Sequence, residues 1–375
     1  MSITERALER LNAALPTITD LAVDTDRSAA FPGHAVRALT EAGLMGLVTP
    51  VAHGGLGGTA GDAAAVVERV ARACGSSAMI LAMHYCGAAV IAAHGSPEVN
   101  RAVAAGEHLS TLAFSEVGSR SAFWAPVSTA RADGDQVVLD AQKSWVTSAS
   151  YATAYVWSSK PVAADGPSTV WLVERSRAGI EVPGEFDGLG LRGNDSSPLT
   201  AREVRVPATN RLGPDGGGFD VMMGVVLPMF NLLNAACSIG LCEGALAGAA
   251  AHLGATRFQH TGEALSALPT VRAYYAKARL KTDLVRCLWT DTMAAMASGR
   301  PDTMLRVLEV KAAAGEAALE VTATAMRVCG GAAYRKELGV ERAFRDAQAS
   351  SVMAPTADVL YDFIGKATLG LPLFG

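Results

Sequence analysis

The sequence predicts an α+β protein in three successive parts: a helical domain over residues 1–110, a β-domain over 111–212 and a bundle of long helices over 213–375. Three observations lead there. Helical periodicity with glycine stops dominates the first part, short β-branched and aromatic runs between turn signals fill the second, and long Ala/Leu/Met stretches fill the third. Strands and helices do not alternate, which excludes a doubly wound sheet or a TIM barrel.

In chain order, FPGHAVRALTEAGLMG has apolar residues at helical spacing and a glycine stop, and Asp62 is placed to cap a helix through DAAAVVERVARACG. SPEVNRAVAAGEH opens with a Ser cap and a first-turn Pro and ends at Gly106. The runs TLAFSE, QVVLDAQ, SWVTSA, AYVWSS, TVWLVER and REVRVP then read as strands of a sandwich or barrel, separated by ADGD and ADGPS. After GPDGGGFD come four helical stretches, from Val221 to about Ala255, Thr270 to Met296, Asp302 to Val328 and Glu341 to about Lys366. Four long helices with short joints predict an antiparallel four-helix bundle.

Composition narrows the functional classes. With 50% hydrophobic residues, 18% charged and a net charge of −4, the chain has no basic face to offer a nucleic acid. The six cysteines are scattered, without CxxC pairs or ligand-spaced histidines, and the N-terminus is charged and amphipathic. A reduced, cytoplasmic protein without metal is expected. The uncharged stretch between Asp220 and Glu243 is long enough for a bilayer, but Pro228, Asn231 and Asn234 interrupt it and no Lys/Arg asymmetry flanks it. A helix buried on all sides is the expectation.

HGGLGGTAGD at 53–62 lacks the GK[ST] of a phosphate loop and reads as a turn into a helix cap. The more informative pair is AFSEVGSRS with KSWVTSA. Ser115, Ser121 and Thr147 hydroxyls beside Trp145 could hold a planar, hydrogen-bonding heterocycle, although such residues are also ordinary in sheets.

VTPVAHGGLGG, LAFSEVGSRS, DGDQVVLDAQKSWVTSA, GLGLRGNDSSPLTAREVRVP, VCGGAAY and VERAFRDAQ together resemble the acyl-CoA dehydrogenase family, in its order and spacing over nearly the whole chain. The resemblance implies FAD between the β-domain and the bundle, an acyl thioester substrate linked to CoA or a carrier protein, and a homo-oligomer, tetramer or dimer. On the matching motifs, Ser115, Trp145 and Thr147 would contact the flavin ring, and Ser121 would approach the acyl carrier. Arg257 and the RVCGGAA loop, with Arg327 in place of the family's Gln and then Gly330 and Gly331, would reach FAD from a neighbouring subunit. Thr356 and Asp358 would also lie near FAD.

The same comparison marks a gap. Where many members carry Glu in a YEGT-type sequence this chain reads MAPT, so Ala354 stands at the acid's place. The alternative site for that Glu, on the first bundle helix, is Phe230, with Asn231 at the neighbouring arginine position. His84 is the substitute base to examine, and Arg120, at a family glycine, is a substrate-binding candidate. Three functions fit: oxidation of a thioester at Cα–Cβ by a non-standard route, flavin-dependent oxygenation of a thioester by O2, or a catalytically silent partner subunit of a heteromeric dehydrogenase.

Overall fold

The computed structural model describes residues 1–374. Its first part holds α1 (Ile3–Asp20), α2 (Ala22–Ser28), α3 (Gly33–Glu41), α4 (Ala60–Ala71), α5 (Gly75–His94) and α6 (Pro97–Ala105). Local chemistry sets their ends. Ser96 caps α6, Pro97 fills its first turn and Gly106 closes it at φ 76°. For α4 the expected cap is corrected. Thr59 is the cap, accepting from the Asp62 N–H, and the Asp62 carboxylate reaches back to the Thr59 N–H at 2.7 Å in a reciprocal box.

Seven strands follow: β1 (Ser110–Ala113), β2 (Thr129–Asp133), β3 (Gln136–Val146), β4 (Ala154–Ser159), β5 (Thr169–Glu174), β6 (Ile180–Glu181) and β7 (Ser197–Pro207). They form two sheets, β1-β4-β5 and β2-β3-β7-β6, with Leu139, Tyr155, Trp157, Trp171 and Val204 buried in the β-domain core. QVVLDAQ and SWVTSA belong to one strand, β3, whose register against β7 shifts between Lys143 and Val146. There Trp145 sits at φ 57° and remains 72% exposed. The bulge turns an aromatic ring out of the sheet.

The third part comprises α7 (Gly218–Val221), a π turn (Met222–Val226), α8 (Leu227–Ala255), α9 (Pro269–Ser298), α10 (Thr303–Cys329), α11 (Val340–Ala347), α12 (Ala349–Val352) and α13 (Ala357–Thr368). α10 packs against α8, α9 and α13. The expected single helix from Glu341 is three helices: α11 and α12 divide at Gln348, and α12 and α13 are separated because Pro355 cannot donate a helical hydrogen bond and disfavours helix in the residue before it. The break at Met353–Thr356 is where the site forms.

Two helical segments, Gly75–His94 and Gly218–Ala255, are long and apolar enough to cross a bilayer, but 83% and 89% of their most apolar windows are buried within the fold. α5 is pressed onto β1: a Cβ on Gly87 would meet Ser110 Oγ at 2.3 Å. That contact fixes the wall on which the cleft is built.

Candidate active site

A cleft of about 1270 Å³ is lined by α5, the segment after β1, the bulge of β3, the 185–198 loop, the start of α8 and the α11–α12 region. Its inner surface is apolar, from Met79, Met83, Leu112, Phe114, Phe123 and Phe230. Of the residues singled out in the sequence, Ser115, Arg120, Ser121, Trp145, Thr147, Phe230 and Ala354 all line it. Thr356 does not line the cleft but stands behind Ser121, whose Oγ donates to Thr356 Oγ1 at 3.3 Å.

The strand end is held tightly. The Ser115 carbonyl accepts from the Ser144 N–H at 2.9 Å, and Thr147 Oγ1 lies 3.1 Å from Ser196 Oγ. Glu116, which also borders the cleft, is not free: its carboxylate accepts from Lys143 Nζ and from the Val127 and Ser128 N–H groups. Both side chains of this ion pair are fully buried. Burial pushes the Glu116 carboxyl up, but the Lys143 ammonium and the hydrogen bonds outweigh it and hold the group below the usual carboxylate range. Burial pushes Lys143 down to about 8 against the pull of Glu116. The pair anchors both ends of the 117–126 loop that carries Arg120 and Ser121.

The remaining cleft carboxylates are Glu185 and Asp187, on the 185–198 loop, with Asp187 paired to Arg192 at 2.9 Å. No cleft-lining residue at the apolar inner end is a carboxylate or a histidine.

Two candidates are corrected. His84 is fully buried and does not line the cleft; Nδ1 accepts from the Ser110 N–H at 3.1 Å, so Nε2–H donates to the Met45 carbonyl at 2.9 Å. Burial lowers its pKa to about 4 against the Met45 hydrogen bond, and neither nitrogen is available as a base. Asn231 is likewise buried and donates to the Val307 carbonyl at 3.1 Å, tying α8 to α10 instead of facing substrate.

Arg257, Arg327, Gly330 and Gly331 do not line this cleft. Arg257 follows the end of α8, and a helix rising 1.5 Å per residue carries that end about 40 Å from Phe230. One chain cannot bring them together. Arg327 is exposed, its guanidinium 4.2 Å from the centre of the Tyr274 ring, and Gly330 adopts φ 61° beside open space. Asp358 is exposed in the first turn of α13.

Two site features escaped the sequence reading. Asn194 borders the cleft with a buried Oδ1 that has no hydrogen-bond partner. Lys311 is buried under Met353 and Pro355, and its signal was present: on α10 a lysine occupies the apolar stripe Val307, Lys311, Ala314, Ala318.

Comparison with known proteins accounts for almost the whole chain. Three family models match in order: acyl-CoA dehydrogenase N-terminal domain over residues 13–106, middle domain over 111–204 and C-terminal domain over 216–369. Cyclohex-1-ene-1-carbonyl-CoA dehydrogenase of Geobacter metallireducens is 29% identical over 366 residues, covering 96% of this chain and 95% of that protein. The structure of glutaryl-coenzyme A dehydrogenase in its glutaryl-CoA complex superposes with a TM-score of 0.90 at 26% identity, covering 100% of this chain and 97% of that one. FMN-bound TdsC from Paenibacillus sp. A11-2, at 21% identity, shares the fold with a TM-score of 0.88 over 99% of both chains.

Proposed function

The chain belongs to the acyl-CoA dehydrogenase family, a family of FAD-dependent enzymes, and on that premise we propose that it oxidises an acyl thioester at Cα–Cβ without a carboxylate base of its own. The residues present fit the cofactor. An exposed indole at Trp145, the hydroxyls of Ser115, Thr147 and Ser196, and the unpartnered Asn194 Oδ1 offer a planar wall and hydrogen-bonding groups to a flat heterocycle. FAD, when bound, supplies a hydride acceptor. Ser115, Trp145, Thr147, Thr356 and Asp358 hold it from one chain, and Arg257, Arg327, Gly330 and Gly331 complete the site from a second copy.

The acyl group occupies the apolar inner end, with Ser121 and Arg120 toward its CoA or carrier-protein arm. The observation that carries the reading is the lack of a free acid there: the cleft offers only Glu116, locked to Lys143, and the loop residues Glu185 and Asp187. A positioned base is worth roughly 10²–10⁴ in rate, and a methyl group at Ala354 supplies none of it. The substrate must therefore bring an α-proton already acidified by its own conjugation, released to water.

The same lack of an acid favours a second reading, oxygenation of the thioester: FAD, if reduced by an external two-electron donor such as a nicotinamide-linked reductase, would supply O2 activation there, one oxygen atom passing to the thioester and the other to water, with no α-proton to remove. Holoprotein offered saturated and unsaturated thioesters under ¹⁸O₂, once with the flavin oxidised and once with it kept reduced by NADH and a flavin reductase, separates the two. A product two hydrogens lighter with no label supports dehydrogenation, and a product carrying ¹⁸O supports oxygenation. Colourless protein that takes up flavin only when mixed with an active homologue would refute both and leave a silent partner subunit.

A further inference from the structure

Two lysines are fully buried, and they differ in company. Lys143 has the Glu116 carboxylate, whereas Lys311 has only backbone and an aromatic face. Its Nζ donates to the Met353 carbonyl at 3.0 Å and the Pro355 carbonyl at 2.7 Å, and lies 5.8 Å from the centre of the Phe230 ring. Those contacts bracket Ala354 and reach Phe230, the two positions that the sequence marks as vacated by an acid, and both positions line the cleft.

The helix break explains the need. Between α12 and α13 the chain leaves carbonyls without helical partners, and a buried carbonyl left unpaired is costly. A lysine reaching from α10 satisfies two of them with one ammonium, by charge-assisted hydrogen bonds. An apolar residue at 311 would orphan both. The acids of the surrounding helices are occupied or turned away: Glu243 with Arg279 and Arg286, Glu309 with Arg306, Glu316 with the Tyr361 hydroxyl, Glu320 with Lys281, Glu341 with Arg345, the buried Asp346 with the Leu191 N–H, Asp362 with Lys366, and Asp358 exposed. Burial alone, with no carboxylate opposing it, pushes the amine down to about 7, and the two carbonyl acceptors pull the other way.

We propose that Lys311 is the positioning residue of the cleft floor, setting through the Met353 and Pro355 carbonyls and the Phe230 ring where Ala354 and Phe230 meet the ligand. It acts through those groups, because Lys311 itself does not line the cleft. The ligand's identity rests on the thioester reading above; the clamp does not. As pH rises through neutrality the amine loses its charge and keeps weaker donors, so the floor loosens.

The test uses the full-length holoprotein with K311M, which keeps bulk but removes charge and donors, K311R, which keeps both, and the surface control K281M, whose lysine pairs with Glu320. Amide exchange is followed across residues 350–354, and octanoyl-CoA is the probe, read by its perturbation of the flavin absorbance between pH 6 and 9. Losing two buried hydrogen bonds corresponds to roughly 10-fold or more in local opening. K311M is expected to exchange at least ~10-fold faster in that segment and to bind octanoyl-CoA about 10-fold more weakly with a flattened pH profile, while K311R recovers much of both and K281M changes neither. If K311M does not fold, K311Q, with a neutral donor, carries the same comparison. Unchanged exchange overturns the clamp. Faster exchange with unaltered affinity and pH profile overturns the positioning role and leaves a structural lysine. If wild-type flavin ignores octanoyl-CoA at every pH, the thioester reading fails, and the exchange data together with the intrinsic flavin spectrum of each variant still decide the clamp.

Discussion

Removing Lys143 isolates the device that holds the substrate-side loop. Lys143 and Glu116 are both fully buried, and Lys143 Nζ also donates to the Ser158 carbonyl at 2.7 Å. In Lys143→Met, Glu116 keeps the Val127 and Ser128 N–H donors but loses its counter-charge. Breaking a buried pair on one side costs about 3–5 kcal/mol, a large share of a domain's stability. The variant escapes by protonating Glu116, which lifts that carboxyl above its unfolded value. A raised carboxyl contributes stability below the unfolded pKa and loses it as pH rises through the folded one, so the deficit should be large at pH 7.5 and smaller near pH 5. Adding Glu116→Gln, whose amide oxygen still accepts one N–H, should cost less than the two single changes summed. Urea unfolding at both pH values measures all of this. A loss under about 1 kcal/mol at pH 7.5, or the same loss at both, would refute the buried ion pair as the anchor.

Two further outcomes follow from the geometry. His84 is held neutral with its pKa lowered to about 4, so its share of stability is complete above pH 6.5 and lost as pH falls toward 4; His84→Gln should remove up to about 3 kcal/mol of that pH dependence in a comparison of unfolding midpoints, without altering flavin reduction near neutrality. Trp145 is exposed at φ 57°, a backbone state that costs a side-chain-bearing residue about 1 kcal/mol, so Trp145→Gly should stabilise the flavin-free protein by about that amount while weakening FAD retention on gel filtration roughly 10-fold. Tighter flavin binding in Trp145→Gly would remove the indole from the cofactor wall.

Much of the fold was legible because its segments carry distinct periods. The Ser96 cap, the Gly106 stop and the α9 and α10 limits stand close to where the pattern puts them, since each is set by local backbone chemistry. What failed was set by distant partners. β2 is the charged run TARAD and β6 is two residues long; neither has the buried alternation that marks a strand, and both exist because β3 and β7 pair with them. The helix from Glu341 reads as continuous until Pro355 breaks it into a turn that Lys311 fills from another helix.

The site divides in the same way. The β3 bulge and the segment after β1 could be read from Trp145, Thr147, Ser115 and Ser121, because the chemistry is written in adjacent residues. Asn231 and His84 look functional in a linear reading, since a polar group in an apolar helix signals either a site or a hydrogen-bonded tie. Only the packing shows that the Met45 and Ser110 backbone groups take up both His84 nitrogens and that the Val307 carbonyl takes up the Asn231 amide N–H.

The central claim is that the inner end of the cleft carries no proton acceptor, and anaerobic flavin bleaching by a saturated thioester tests it most directly. Octanoyl-CoA and butyryl-CoA mixed with the oxidised holoprotein should reduce the flavin at least ~10²-fold more slowly than they reduce an Ala354→Glu/Pro355→Gly variant, in which a carboxylate and a permissive backbone return together. Rapid bleaching of the unaltered protein, equal to or faster than that variant, would mean that an acceptor stands over the acyl group and would contradict the account.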